Sequence, residues 1–151
     1  MLEEQLLWVP SSQVKIHFAP NETPDIISRL NLLDINLYAD VIDNKLEAIR
    51  FRTDGLRAQK YVAGMLTKKY GPPTTIRPSR ISNQMGGGYD TFTAFWKLPN
   101  LTVTFYSVAT WVRPDFSNGW VFIETDKAIA TAKRNQQERI RQQDAQEKNP
   151  L

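Results

Sequence analysis

The chain has 151 residues, of which 41% are hydrophobic and 23% charged, with a formal net charge of +3 and no cysteine. That length suits a single domain whose core is large enough to fold without a metal or a disulfide. Disulfides, thiolate nucleophiles and cysteine zinc sites are excluded, and no run of 18 apolar residues exists to cross a bilayer as a helix.

The charge is unevenly spread. Residues 1–49 hold three basic against eight acidic side chains. Residues 50–80 hold eight basic side chains against one acidic, Asp54. Such asymmetry either neutralises itself within the fold or marks an anionic partner.

In chain order, Val14, Ile16 and Phe18 alternate with Lys15 and His17, which predicts a half-buried strand over 13–18. Thr23-Pro24-Asp25 reads as the start of a short helix ending near Leu30. Ile35, Leu37, Ala39 and Val41 alternate with polar neighbours, and residues 46–53 return as a strand. Asp43-Asn44 between them suits a tight hairpin turn. Asp54 then caps a helix whose apolar stripe is Ala58, Tyr61, Val62, Met65, Leu66 and Tyr70. Gly71-Pro72-Pro73 stops it.

Residues 72–90, rich in Pro, Ser, Arg and Gly, read as a long loop. Strands follow over 91–98, 101–108 and 120–125, the first two joined by a turn at Pro99-Asn100. From Asp126 a polar helix begins. Its first turn carries Ala128, Ile129 and Ala132, and beyond Lys133 its only large apolar residue is Ile140. The fold class expected is α+β: a mostly antiparallel sheet of about five to six strands, one amphipathic helix packed on it and a polar C-terminal helix. Residues 1–132 form the domain and residues 133–151 a projecting helical tail.

Catalytic chemistry finds little support. His17 is the only histidine, so neither a histidine dyad nor an ordinary zinc site can be assembled. Asp34, Asp40, Asp43 and Glu47 gather near the hairpin, but turn and exposed strand positions account for them. Gly86-Gly87-Gly88 precedes a strand, whereas a phosphate-cradling glycine loop precedes a helix. No serine sits in a nucleophile elbow. The reading is therefore no catalytic residue, no metal and no cofactor.

Contact residues are the better lead. Both faces of the last three strands are apolar, more than one helix can cover. Either the N-terminal Leu6, Leu7 and Trp8 and the start of the last helix cover the second face, or it meets a partner. The candidate aromatic face is Trp96, Tyr106, Trp111, Trp120 and Phe122, since Trp and Tyr are enriched at interface hot spots. The competing site is an anion-binding set of Arg57, Lys60, Lys68, Lys69, Arg77 and Arg80. Gly64 lies on the same polar helix face as Arg57, Lys60 and Lys68, where it would admit another chain closely.

The stretch Asp40-Val41-Ile42-Asp43-Asn44-Lys45-Leu46-Glu47-Ala48-Ile49-Arg50-Phe51, continuing to Lys69-Tyr70-Gly71-Pro72-Pro73, resembles a pattern in small bacterial and phage-borne α+β proteins, many exported and most uncharacterised. Trp96, the strand near 101–105 and the polar C-terminal helix are also similar. The resemblance implies this fold and a bacterial setting, and it transfers no active-site residue. The acidic start Met1 to Trp8 is not a signal peptide. The location implied is the periplasm or envelope if an export signal was removed, and the cytoplasm otherwise.

The expectation is a non-enzymatic module that binds another protein, or itself, through the aromatic sheet face, the 72–90 segment or the C-terminal helix. The alternative is an anionic ligand or nucleic acid held by the basic 50–80 segment.

Overall fold

The computed structural model describes residues 13–16, 37–82, 85–109 and 118–148. The expected short helix near Thr23, His17, Asp34, Trp111 and the N-terminal Leu6, Leu7 and Trp8 lie outside them. The described residues form an α+β fold of seven strands and two helices. The strands are β1 (Gln13–Ile16), β2 (Leu37–Ile42), β3 (Lys45–Thr53), β4 (Thr75–Ser82), β5 (Gly88–Leu98), β6 (Leu101–Tyr106) and β7 (Gly119–Thr125). The helices are α1 (Gly55–Tyr70), between β3 and β4, and α2 (Asp126–Lys148), after β7. One sheet has the order β1-β2-β3-β7-β6-β5-β4, and every pairing is antiparallel.

Local chemistry explains the turns. Asp43 and Asn44 both take positive φ, 50° and 61°, as the β2–β3 hairpin requires. Asn100 does the same at 56° between β5 and β6. Gly71 ends α1 with φ 84°, and its N–H donates to the Thr67 carbonyl at 2.8 Å. Asp54 occupies the N-cap position of α1, but its side chain makes no capping bond; its carbonyl accepts from the Arg57 N–H at 3.1 Å.

α1 buries Ala58, Val62 and Leu66 against one face of the sheet, where Phe51, Ala94, Trp96, Val103, Phe105 and Val121 meet them. The buried stripe is narrower than its pattern implies. Tyr61 is exposed, and Met65 and Tyr70 are half-buried. Trp96 is 1% exposed, and its indole N–H donates to the Gly71 carbonyl at 2.8 Å. The glycine that stops α1 thus also accepts the one polar group of the largest core residue.

Residues 72–90 are not a loop. β4 occupies Thr75–Ser82 and pairs with β5, which begins at Gly88, from Thr75↔Phe95 to Ser82↔Gly88. Pro78, which spoils the strand pattern, stands opposite Phe92. The Phe92 N–H donates to Ser107 Oγ at 2.9 Å, and its carbonyl accepts from the Ser107 N–H at 3.0 Å. Both Phe92 groups therefore point toward β6. In an antiparallel ladder this makes Pro78–Phe92 a non-hydrogen-bonded pair, so the proline nitrogen faces away from β5. β4 is the last strand of the sheet, and an edge strand tolerates proline there.

α2 is about 34 Å long at 1.5 Å per residue. Ala128 is its only buried residue, and residues 140–148 are all exposed. Neither described helix is long and apolar enough to cross a membrane.

Candidate functional site

Three surfaces hold the residues singled out by sequence. The first is the sheet face opposite α1. Strand register lines up Arg50, Phe122 and Thr104 in one row and Arg52, Trp120 and Tyr106 in the next. Tyr38 joins them opposite Arg50. Trp120 stacks on Phe122 with centroids 6.0 Å apart, and Tyr106 meets Phe122 edge-on at 5.6 Å. Tyr38 lies 6.1 Å from Trp120. Trp120 is 7% exposed and Phe122 5%, so these two rings are buried, with Tyr38 and Tyr106 half-buried beside them. Trp96 does not belong to it. Strand alternation sends Trp96 to the α1 side, opposite Val103.

The same face carries a charge cluster that the pattern did not reveal. Arg50 Nη2 donates to Asp40 Oδ2, and both side chains are buried. Asp40 was expected at an exposed strand position. A bulge changes its company: Asp40 pairs with Ala48 and Val41 with Leu46, which leaves Glu47 as the extra residue of β3. An unbulged two-residue hairpin would set Asp40 across from Glu47. The bulge instead puts Asp40 on the face of Arg50 and Arg52. Glu124 stands opposite Ala48 in the next strand. Burial raises the Glu124 carboxyl above the usual range, with Arg50 lowering it and Asp40 raising it further. Burial also raises Asp40, against the opposing pull of Arg50. Arg52 Nη2 donates to Asn118 Oδ1. Asp40 Oδ1, Arg50 Nε and Nη1, Arg52 Nε and Trp120 Nε1 are buried without hydrogen-bond partners. Arg50 also lies 5.9 Å from the Phe122 ring centroid. This arrangement holds charge within an apolar frame and ties β2, β3 and β7 together.

The second surface is the end of the β4–β5 hairpin. β6 ends at Tyr106, opposite Thr93. The four pairs Ser79↔Thr91, Arg80↔Asp90, Ile81↔Tyr89 and Ser82↔Gly88 continue beyond it. They form a two-stranded arm. Its side chains include Met85, 93% exposed, and Tyr89, 44% exposed, while Ile76 at its root is 56% exposed. Arg80 pairs with Asp90 at 3.0 Å. Gly88 permits this, since a Cβ there would press into the Arg80 guanidinium. The Asp90 carbonyl accepts from Gln59 Nε2 of α1 at 3.1 Å, which braces the arm at its root.

The third surface is the outer side of α1. Arg57, Lys60, Lys68 and Lys69 are exposed there. The six residues of the candidate anion set do not converge. Arg77 lies over Phe95 on the opposite face of the sheet, 5.0 Å from the ring centroid. Arg80 is neutralised by Asp90. Arg50 and Arg52, which gave the 50–80 segment much of its charge, lie on the face turned away from α1, Arg50 buried and Arg52 half-buried. The four helix residues remain as a group, with Lys69 also 5.6 Å from the Tyr70 ring centroid.

The glycine run lies at the turn of the arm and leads into β5, as its setting before a strand implied. No group of three His, Asp or Glu that could hold a metal ion occurs among the described residues. Comparison of the chain with protein-family models, curated proteins and solved structures gives no match.

Proposed function

We propose that the chain is a non-enzymatic module that binds another protein through the β4–β5 arm. Of the three surfaces named from sequence, the aromatic face buries Trp120 and Phe122, and α2 exposes one large apolar side chain, Ile140, among polar ones. The arm carries the reading. Ile76, Met85 and Tyr89 are half of the large exposed apolar residues described, and all three belong to this hairpin. A two-stranded ribbon is marginal alone in water. Here Arg80–Asp90 links its two strands and Gln59 ties it to α1, while Met85 and Tyr89 stay exposed and Ile81 is half-buried. Strand alternation puts Ile76 on the α1 side, beside Ala94, and Tyr89 on the other side, so Met85 and Tyr89 toward the tip are the contact residues.

The mode of contact follows from Pro78. An open sheet edge invites a partner strand, but the central outward donor of β4 is missing. The partner therefore engages side chains of the arm rather than extending the sheet.

The test places a photo-crosslinking residue at Met85 or Tyr89, with Thr67 on α1 as control. A single adduct from positions 85 and 89 and none from 67 is the expected result. An adduct at twice the chain mass identifies self-association as the contact. Equal labelling from all three positions, or none from the arm, would overturn the reading.

A further inference from the structure

The outer side of α1 has a charge pattern that helix stability does not explain. The helix contains Arg57, Lys60, Lys68 and Lys69 and no acidic residue. All four cations are exposed, and none forms an ion pair among the described residues. Lys68 and Lys69 sit in the last turn, where cations complement the helix dipole. Arg57 sits in the first turn, where the dipole disfavours a cation, and Lys60 lies just beyond it, where the dipole offers no gain. The fold gains nothing visible from that placement.

Arg57, Lys60, Gly64 and Lys68 follow one another at helical spacing along a single line of about 16 Å, taking 1.5 Å per residue. The buried stripe Ala58, Val62 and Leu66 lies on the other side. At the middle of the line, a Cβ added to Gly64 would meet nothing within 4 Å. The surface is therefore low at its centre and cationic toward both ends.

We propose that this line docks the phosphate backbone of a nucleic acid. Charge complementarity requires an anionic occupant, and the residue types choose between classes. Protein interface cores are enriched in aromatic residues and depleted in lysine. Here lysine dominates, and Tyr61 is the only large apolar neighbour exposed on the helix. Backbone phosphates are held by just such Lys and Arg contacts without base reading. No base-reading element is assigned, so the contact is independent of sequence. The site is separate from the arm and does not depend on it.

The test is fluorescence polarisation with a labelled 20-base-pair DNA duplex and a labelled 20-nucleotide single strand, titrated from 50 to 200 mM salt. Unlabelled poly-L-glutamate is titrated against each. Binding at 50 mM salt that weakens steeply with salt is expected. In Lys60→Gln/Lys68→Gln the slope of log K against log salt should fall by about 1.8 on the duplex or about 1.4 on the single strand, two contacts' worth. Lys133→Gln/Lys148→Gln on α2 should leave the slope unchanged. All these side chains are exposed, so folding is not at issue. Absence of binding at 50 mM salt overturns the proposal. So does an unchanged slope in the α1 variant, which would put the contact elsewhere. Displacement by poly-L-glutamate at matched charge also overturns it, since the surface would then suit an acidic protein.

Discussion

Arg50 and Asp40 meet across the β2–β3 pair, both buried, and Arg50 keeps two nitrogens without partners. A pair of this kind is costly to break from one side, because the remaining charge stays buried and alone. Arg50→Leu should destabilise the fold by about 3–5 kcal/mol. The double variant Asp40→Val/Arg50→Leu should recover most of that loss, since two apolar groups replace two imperfectly satisfied charges. Urea unfolding of the four members of the cycle measures both. A double variant as unstable as Arg50→Leu would show that shape, not charge, holds this site.

Glu124 supplies a pH prediction from the same cluster. Its carboxyl is raised above the ordinary value of 4.5 by burial. A raised carboxyl pKa means that the folded state binds the proton more tightly than the unfolded chain does. Its stabilising contribution is complete below about 4.5 and is lost as pH rises through the folded value. Glu124→Gln cannot ionise and escapes that loss. The variant should therefore match the parent near pH 4 and exceed it at pH 7 to 8, as read from melting temperatures across that range. The reverse order at neutral pH would mean that the attraction of Arg50 outweighs burial.

The fold was legible where a local rule decides it. Asp43 and Asn44 tolerate positive φ, so the hairpin could be placed. Gly71-Pro72-Pro73 can only stop a helix. Alternation sorts Val121 from Trp120 and Phe122 within one strand. It does not say which face of the next strand joins them, so the pattern alone groups Trp96 with the wrong face. Two features escaped for physical reasons. β4 is exposed at almost every position and contains Pro78, so it has neither alternation nor an unbroken ladder to announce it. The Arg50–Asp40 pair depends on one extra residue, Glu47, and a one-residue shift in register exchanges the faces of a strand. Alternation puts Asp40 on the Tyr38 side of β2, where it lies, but cannot show that this side is buried.

Pro78 makes the edge strand testable. Its nitrogen faces the open side of β4, where an ordinary residue would offer a donor. Pro78→Thr restores that donor and a residue suited to strands. The expected outcome is concentration-dependent self-association in analytical ultracentrifugation, beyond that of the parent, through pairing of edge strands. Monomer stability should change by about 0.5 kcal/mol or less, because the position is exposed. Unaltered sedimentation at the highest accessible concentration would show that the edge is guarded by something other than Pro78.

Gly64 and Gly119 should respond oppositely to the same substitution. Gly64 lies in the interior of α1 with open space where a Cβ would go. Alanine there removes the entropic penalty of a helical glycine and should stabilise by about 0.5–1 kcal/mol. Gly119 opens β7, where an added Cβ would run into Thr53 Oγ1 and approach the Ser107 carbonyl to 2.8 Å. The carbonyl belongs to the backbone at the end of β6 and cannot turn aside as a side chain could. Gly119→Ala should destabilise by about 1–3 kcal/mol, the usual range for overpacking. Paired urea titrations decide the matter, and a stabilised Gly119→Ala would mean that β7 can draw away from Thr53 at little cost. The Gly64 variant carries a second readout. If a phosphate backbone approaches α1 at this glycine, the methyl group should weaken duplex binding while the protein itself becomes more stable. A merely tolerated surface glycine would change stability alone.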